Sequence, residues 1–549
     1  MRLMKALAGT AVATLLLTGC NAGGSGSSGG GGGSSTQALT IANVAGQTWT
    51  CAFNPLNPND AYLSFGIVYE PLVYINALKN NATTPMLAKS WNWSPDKTTL
   101  TFTIRDGVKW NDGQPMTADD VAFTFNLMKA NAGLDINSLW SSILKSVSAT
   151  GNTVTVQFKA AADPYFYYVA GDTPILPKHI WSTGDAAKDP VKFQDAQPVG
   201  TGPYKVGTCS ANNIAYTANT DYWQPGLPKV KKVNYPAYTD NDPANLDLAS
   251  GKAQWGAQYI PGIDKLYVSR DKTNHHYWFP PTENVALFFN MKHPVTGQLA
   301  VRQAFAAGID REQVSKIGES GYQPAANQTG IVTPTYKDWI DQAALDASGY
   351  AKPDTAKAAQ LLASAGYSPS HPLKLSVITI SGYTDWDASL QEVKQQLAPL
   401  GIQLTIDDLA ADTFDDRLYK GNFDVAYWSE PGGPGPYYEL RQILHSANSA
   451  PLGQNASSNY ERYSNPDVDK ALDDFGQADS AKQHELLKQV QAAMLRDVPV
   501  VPTTETVQWY EYNTAAFTGW PTQDDQYALP APWQIPDDEQ VLLHLAPAK

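Results

Sequence analysis

The sequence is poor in cysteine, with three among 549 residues. Besides Cys20 there are only Cys51 and Cys209, and neither belongs to a CxxC pair or stands near a spaced histidine. Without such neighbouring ligands, Cys51 and Cys209 are not expected to form a metal site. In an oxidising compartment the two thiols can pair, or they can stay separate and buried, and the sequence leaves both alternatives open. No cofactor is expected.

Motifs of common enzymes are also missing. No GxxxxGKS/T is present, so the chain cannot cradle and hydrolyse a nucleotide by itself, and there is no HExxH. The one near match to a nucleophile elbow, Gly318-Glu-Ser320-Gly321, lacks the second glycine at the required spacing. Two carboxylates distant in sequence leave no local signature, so a secreted glycosidase on an unrelated fold remains the enzyme alternative.

After the first 20 residues no stretch approaches 18 consecutive apolar residues, so no later segment is predicted to span a membrane. The chain has 39 Lys and Arg against 53 Asp and Glu, a net charge of −14. Removing Arg2 and Lys5 with a cleaved leader leaves 37 basic residues and a charge of about −16. This acidic balance argues against a nucleic-acid partner and against broad adsorption to anionic lipid.

The start of the chain does carry a targeting pattern. Arg2 and Lys5 precede an apolar stretch from Ala6 to Leu17, which is too short to cross a bilayer and has the length of a signal peptide. Leu17-Thr-Gly-Cys20 then resembles a bacterial lipobox, which implies cleavage before Cys20 and a lipid on its thiol. The alternative is an ordinary secretory signal with an incidental cysteine.

These features predict a lipoprotein signal peptide over residues 1–19 and a flexible Gly/Ser tether over 20–37. We expect the protein at the extracytoplasmic face of the cell membrane, at the cell surface or in a periplasm, anchored by the lipid on Cys20. The remainder is long enough for two or three domains with sizeable cores.

Apolar periodicity predicts the main elements. Leu100 to Ile104 and Val154 to Phe158 alternate with polar residues and are typical of half-buried strands. Thr117 is the expected cap of a helix between them. Residues 373–428 follow a β-α-β-α-β order, which predicts a largely parallel sheet covered by helices. Further helices are expected at 354–365 and 466–497, and the segment after Pro499 is expected to form strands and loops.

Several long motifs identify a family. They are Tyr69-Glu-Pro-Leu72, Pro85-Met-Leu-Ala-Lys-Ser-Trp91, the run from Ser94 to Gly113, and Pro115-Met-Thr-Ala-Asp-Asp-Val121. Gly200-Thr-Gly-Pro-Tyr204, Asn284 to Arg311 and Tyr463-Ser-Asn-Pro-Asp467 follow in matching order. Together they closely resemble the peptide-, nickel- and oligosaccharide-binding family of ABC importers, over essentially all of the mature chain. Trp91, Trp110 and Gly113 are interpreted as packing residues of this scaffold.

The resemblance implies an α/β clamshell of two lobes with mixed sheets flanked by helices. The implied boundaries are a first lobe made of 38–72, 198–283 and 501–549, an inserted subdomain of that lobe at 73–197, and a second lobe at 284–500. Such proteins capture a solute between the lobes and dock on a membrane permease whose separate ATPase subunits supply energy. We expect a monomer that performs no catalysis itself.

The resemblance also bears on the ligand. In the family's peptide binders an aspartate in the loop after the strand equivalent to 423–428 pairs with the peptide's α-ammonium. Here the loop has glycine near Gly432, and Glu430 is the only acid nearby. Glu430 can substitute, or the loop does not bind an ammonium at all.

The same loop is rich in aromatic residues, which suit stacking on sugar rings. The candidate ligand contacts are Trp428, Tyr437 and Tyr438 in the second lobe, with Trp386 beside them, and Trp49 and Asn54 in the first lobe. A core role is the alternative for each aromatic residue, and Arg441 is expected to form a helix salt bridge, with a clamp on a ligand carboxylate as the alternative. Peptide and oligosaccharide, such as a cello-oligosaccharide, remain nearly level as ligands, with a nickel chelate third.

Overall fold

The computed structural model of the protein describes residues 38–43, 48–79, 81–238, 240–430 and 432–549. The predicted signal peptide, Cys20 and the tether over 20–37 lie outside the described residues. Within the described ranges, no helix combines the length and the apolar character needed to cross a membrane.

The strands, in chain order, are β1 (Leu39–Ala42), β2 (Val73–Asn76), β3 (Ala82–Pro85), β4 (Ala88–Trp93), β5 (Thr99–Ile104), β6 (Leu144–Thr150), β7 (Thr153–Phe158), β8 (Tyr204–Ser210), β9 (Asn213–Ala218), β10 (Lys232–Pro236), β11 (Trp255–Gly256), β12 (His275–Tyr277), β13 (Pro281–Phe289), β14 (Leu373–Ile380), β15 (Ile402–Leu409), β16 (Val425–Ser429), β17 (Val500–Val507), β18 (Glu511–Asn513), β19 (Phe517–Thr518) and β20 (Ala546–Pro547).

The α-helices are α1 (Ala118–Ala130), α2 (Leu139–Ser142), α3 (Lys178–Trp181), α4 (Gly184–Lys188), α5 (Asn241–Ala249), α6 (Ile263–Leu266), α7 (Leu299–Gly308), α8 (Arg311–Gly318), α9 (Gln342–Ser348), α10 (Thr355–Ser364), α11 (Thr384–Leu397), α12 (Ala411–Lys420), α13 (Pro436–Leu444), α14 (Pro466–Phe475), α15 (Ser480–Asp497) and α16 (Asp537–His544). A single π-helical turn covers Tyr167–Gly171.

The first lobe is built on a seven-stranded mixed sheet in the order β12-β18-β11-β1-β10-β9-β8. Its centre is parallel, because β1 pairs in parallel with both β10 and β11, and the outer pairs are antiparallel. Strands from the start, the middle and the end of the chain therefore share one sheet, so this lobe is discontinuous in sequence.

The second lobe is built on a five-stranded sheet in the order β15-β14-β16-β13-β17. Strand β14 pairs in parallel with β15 and β16, as the β-α-β-α-β pattern predicts. Helix α10 begins where expected, since the Asp354 carboxylate accepts the Lys357 N–H at 2.8 Å. Gly401, at a φ of +89°, makes the turn into β15.

The inserted subdomain has a four-stranded antiparallel sheet, β4-β5-β7-β6, which includes both predicted alternating strands. Its helix α1 starts after Thr117, whose N–H and hydroxyl donate to the Asp120 carboxylate. One hydrophobic core contains side chains of this subdomain together with those of the first lobe, and the second lobe has a separate core. The subdomain and the first lobe therefore form one body.

Two neighbouring chain segments, 278–280 and 508–510, run between the lobes, and we call them the crossing strands. The first connects β12 to β13 and the second connects β17 to β18. They are paired, because the Trp278 N–H donates to the Tyr510 carbonyl at 3.1 Å and the Gln508 N–H donates to the Pro280 carbonyl at 2.9 Å. These paired crossing strands are the hinge on which a clamshell would open and close.

Three sequence predictions need correction. Strand β17 pairs with β13 in the second-lobe sheet, so the return to the first lobe comes after Val507 and not after residue 500. The helix expected over 466–497 is two helices, α14 and α15. The last segment, expected to contain only strands and loops, also forms α16, whose apolar residues Val541 and Leu542 are fully buried.

Candidate functional site

Three cavities lie where side chains of the two lobes meet. We call them the hinge-side cavity, of about 630 Å³, the inner cavity, of about 240 Å³, and the outer groove, of about 610 Å³. The two larger ones have the size usual for small-ligand sites in proteins.

The hinge-side cavity is formed at the carboxyl ends of parallel strands. Tyr259 follows β11 in the first lobe, and Tyr383 and Asp385 follow β14 in the second. Open α/β sheets place ligands at these strand ends because the connecting loops converge there. Helix α5 adds Asn245, and Trp509 enters from the second crossing strand.

The lining of this cavity contains both aromatic and polar groups. The half-buried Trp509 ring meets Tyr259 edge to face at 5.3 Å, and Tyr383 stacks on Trp386 at 5.0 Å. Burial raises the pKa of Asp385 to about 6. The cavity can therefore offer ring faces together with hydroxyl, amide and carboxyl groups.

The inner cavity is acidic. Asp172 comes from the inserted subdomain, Glu283 from β13 and Asp537 from the start of α16. Burial raises the pKa of each carboxyl to about 7. Each also accepts a hydrogen bond, for example from the Tyr74 hydroxyl to Asp537 at 2.7 Å. Near neutral pH the cavity wall can both donate and accept hydrogen bonds.

Gly432 closes one side of the inner cavity, and its N–H donates to the Glu283 carboxylate. A Cβ at this position would lie 2.6 Å from Glu283 Oε1, so a larger residue would displace that carboxyl. Gly432 was predicted as a ligand contact. In the structure, its lack of a side chain allows the loop after β16 to lie close to Glu283.

The outer groove continues from the inner cavity, since Tyr167, Tyr336 and Pro434 line both. The predicted candidates Tyr437 and Tyr438 lie in its wall. Tyr437 stacks on Phe475 at 4.4 Å. The Tyr438 hydroxyl reaches across to the inserted subdomain and donates to the Pro164 carbonyl at 2.5 Å.

Trp386 and Trp428 form an aromatic cluster that packs against the second-lobe core. Their rings meet edge to face at 5.4 Å, and Trp428 also contacts Phe414 at 4.9 Å. Neither lines the three cavities, although Trp386 supports Tyr383, which does.

Glu430 is fully buried and lines none of the three cavities. Its Oε2 accepts the Asn284 side-chain amide at 3.1 Å, while Oε1 has no partner among the described residues. Burial raises its pKa to about 8, and the neighbouring Glu283 adds to the shift. Glu430 is therefore largely protonated at neutral pH.

The first-lobe candidates lie in the core of their lobe. Trp49 is 5% exposed, and its indole N–H donates to the Tyr235 carbonyl at 2.8 Å. Asn54 is fully buried and donates to the Phe193 carbonyl at 2.9 Å while accepting the Leu56 N–H. The structure does not bring these two to the cavities.

Cys51 and Cys209 are joined in a disulfide, with their Cα atoms 5.8 Å apart. It ties the segment after β1 to β8. Among the described residues Arg441 has no salt-bridge partner, contrary to the expectation; its guanidinium lies over the Tyr165 ring of the inserted subdomain, 5.4 Å from the ring centre. Trp110 is buried as expected, whereas Trp91 is half-buried and lines the outer groove.

Sequence reasoning missed Tyr259, Tyr383, Trp509 and Glu283. Tyr259 and Tyr383 directly follow strands, so the rule that ligands bind at strand carboxyl ends could have found them. Trp509 and Glu283 carried no comparable signal, because their positions depend on the path of the crossing strands.

Comparison with known proteins gives a family match over most of the chain. A sequence model described as "Bacterial extracellular solute-binding proteins, family 5 Middle" matches residues 82–451. A Brucella ovis protein, named as an ABC transporter peptide-binding protein, is 28% identical over 77% of this chain and 78% of its own length. The oligopeptide-binding protein OppA of Bacillus subtilis is 24% identical over 89% of this chain and 92% of its own.

A solved structure with the same fold is an oligopeptide-binding protein of an oligopeptide ABC transporter from Thermotoga maritima. It has a TM-score of 0.85 and 25% identity, and the match covers 94% of this chain and all of that one. The same Thermotoga protein has also been solved with mannohexaose bound. The likeness confirms the predicted two-lobed α/β fold. The chain belongs to the bacterial extracellular solute-binding proteins of family 5, the transport binding proteins of ABC importers, and is not an enzyme.

Proposed function

We propose that this binding protein captures a neutral oligosaccharide between its lobes and delivers it to the permease. The observation that carries the proposal is the lining of the hinge-side cavity. Tyr259, Tyr383 and Trp509 supply rings from both lobes and from the hinge, and amide, hydroxyl and carboxyl groups belong to the same lining. Sugar rings stack on aromatic faces while their hydroxyls bind such polar groups.

The charges of the cavities favour the same ligand. Among the described residues, no Lys, Arg or His lines any of the three cavities. The carboxylate end of a free peptide would therefore lack the cationic partner that a desolvated charge needs. A neutral sugar needs none.

Contacts from both lobes to one ligand would also explain how the protein delivers that ligand to the permease. A solute that contacts first-lobe Tyr259 and second-lobe Tyr383 stabilises the closed arrangement, because those contacts form only when the lobes approach. The hinge would transmit that closure to the surface presented to the permease.

An oligopeptide is the second candidate, and the inner cavity favours it. Asp172, Glu283 and Asp537 make that cavity acidic and suit a peptide α-ammonium. In this alternative Glu283 has the ammonium-binding role first considered for Glu430. The curated relatives named above as peptide-binding proteins add to this reading.

The experiment is calorimetric titration of the full mature chain with cello-, xylo- and manno-oligosaccharides and with di- to pentapeptides. We expect binding of one sugar series, and Trp509→Ala should weaken it about tenfold or more. Trp140→Ala is the matched control, because Trp140 is also half-buried but lines none of the three cavities. Binding of peptides alone would overturn the sugar proposal.

We also propose that the protein is a lipid-anchored monomer at the extracytoplasmic face of the membrane, through Cys20. The lipobox-like Leu17-Thr-Gly-Cys20 supports this. Mass spectrometry of the mature N-terminus should find a lipidated Cys20, and Cys20→Ala should release the protein into the soluble fraction. An unmodified N-terminus at another residue would contradict the anchor.

A further inference from the structure

The chain enters the first-lobe sheet at one edge. Strand β1, which follows the predicted tether, runs parallel to β10 and β11, so all three strands begin at the same edge. Leu39 of β1 lies beside Val233 of β10, and the Thr40 N–H donates to the Gln254 side chain just before β11. Strand β12 also begins there, because β18 pairs antiparallel with both β11 and β12. We call this side of the sheet the entry edge.

The entry edge is rich in positive charge. Six exposed basic residues lie at or just before the starts of these strands: Lys229, Lys231 and Lys232 for β10, Lys252 for β11, and Arg270 and Lys272 for β12. Of the six, Lys252 alone has a salt-bridge partner within the described ranges, Asp247 at 2.8 Å.

Few acidic residues offset these cations. The acids in the same stretches of chain are Asp221, Asp247 and Asp271, so six positive charges face three negative ones. The whole chain has the opposite balance, with a net charge of −14. The entry edge is therefore a local positive surface on an acidic protein.

The entry edge and the hinge-side cavity lie at opposite ends of the parallel strands. Tyr259 follows β11 and lines that cavity, whereas Lys252 precedes the same strand. A surface that contacts the entry edge would leave the hinge-side cavity uncovered.

The predicted tether brings the entry edge close to the membrane. The tether over 20–37 has 18 residues, and a Gly/Ser-rich chain of that length has a mean end-to-end distance of about 23 Å. A lipid on Cys20 would thus hold this edge at a high effective concentration at the bilayer surface. Acidic residues elsewhere on the protein oppose the contact little, because salt screens charges over about 8 Å.

We propose that the entry edge docks on the anionic lipid headgroups of the membrane that carries the Cys20 lipid. This inference rests on the proposed lipid anchor and adds an orientation to it. Each lysine or arginine close to an anionic bilayer strengthens association by about fivefold. The hinge-side cavity then faces away from the bilayer, towards the arriving solute.

The test is acetylation footprinting of the full mature, lipidated chain in vesicles, with the rate at each lysine read by mass spectrometry. Vesicles containing phosphatidylglycerol are compared with vesicles of phosphatidylcholine alone. Acetylation of the entry-edge lysines should slow by at least about threefold on the anionic vesicles, and about 1 M salt should abolish the difference. Three exposed second-lobe lysines, Lys352, Lys374 and Lys488, are the internal control and should react equally on both vesicles.

A charge-matched pair of variants assigns the effect to the edge. Combining Lys229→Gln, Lys231→Gln and Lys232→Gln should remove the protection of Lys252 and Lys272. Combining Lys352→Gln, Lys374→Gln and Lys488→Gln changes the net charge equally and should preserve that protection. Lys252→Gln with Lys272→Gln, read at Lys229, is the second variant in case the first does not fold.

Equal acetylation rates on the two kinds of vesicle would overturn the docking proposal. So would equal loss of protection in the edge and control variants, or stronger protection by soluble polyphosphate than by the vesicles. Failure of the proposed anchor gives a different result, because the chain would then not float with vesicles of either composition.

Discussion

Two segments each contain predicted ligand contacts, and they differ in the structure. Residues 48–57 follow β1 in the first lobe, and residues 432–438 follow β16 in the second. In the first segment Trp49 and Asn54 are buried with their polar groups bonded to the backbone of their own lobe. In the second, Gly432, Tyr437 and Tyr438 line cavities shared between the lobes.

The difference shows what separates an aromatic residue in the core of one lobe from one that lines a cavity between the lobes. Trp49 has satisfied its indole N–H and packs on Tyr235 at 5.1 Å. Tyr438 forms its hydrogen bond across the cleft, so its environment would change if the lobes moved apart. The first segment packs within one lobe, and the second contacts both.

The largest expected effect is loss of the Cys51–Cys209 disulfide. The bridge spans 158 residues of sequence, and in the chain-entropy account a loop of that length stabilises by about 5 kcal/mol. Cys51→Ser combined with Cys209→Ser should lower the denaturant midpoint strongly without changing ligand preference. Ser210→Ala, at an exposed neighbour, is the control. A changed ligand preference would place the first segment in the binding site.

Trp49→Ala should have the next largest effect. Removing a buried tryptophan usually costs about 3–5 kcal/mol. We expect that loss in chemical denaturation, while the affinity of the folded fraction stays within about twofold of the wild type. A weaker ligand affinity with unchanged stability would contradict the comparison, because it would make Trp49 a ligand contact.

Glu430→Gln should have the smallest effect, and it should depend on pH. The native pKa of Glu430 is raised to about 8 from 4.5, so the native state keeps a proton that the unfolded state loses. The stability of the wild type relative to a variant without this carboxyl is therefore highest at low pH, and it falls as the pH rises towards 8. The variant should therefore match the wild type near pH 5 and be more stable at pH 8.

The gain at pH 8 should be smaller than the roughly 5 kcal/mol that a shift from 4.5 to 8 gives for an isolated group, because Glu283, Glu439 and Glu461 surround Glu430 and adjust their own titration. Denaturation curves at several pH values measure it. Asn284→Ala offers a contrasting variant, since it removes the donor to Glu430 Oε2 and keeps the carboxyl. Identical pH profiles for wild type and Glu430→Gln would show that Glu430 does not titrate in this range.

The fold could be predicted from the sequence because the patterns that indicate its strands and helices lie within a few residues or within one supersecondary unit. The alternation of Leu100, Phe102 and Ile104 and the capping by Thr117 and Asp354 are each decided within a few residues. The parallel unit from β14 to β16 follows from element order. The assignment of β17 failed because it depends on long-range pairing with β13.

The candidate site was less predictable, because the tertiary packing decides which side chains are buried in a core and which line a cavity. Trp49, Trp428 and Trp509 look alike in sequence, and only the packing of distant segments leaves Trp509 at the hinge-side cavity. Glu430 was the acid nearest the expected position. Glu283, distant in sequence, occupies the cavity wall because β13 lies beside β16.

The contact made by Tyr438 has a consequence for timing. Its ring lies edge-on to Tyr167 and Tyr168, and its hydroxyl donates to Pro164, all in the body that includes the first lobe. Opening of the cleft would have to break these contacts, so they would add to the barrier against release. The dissociation rate of a trapped solute would then depend partly on a tyrosine that need not touch it, and residence time could change without a change in ligand recognition.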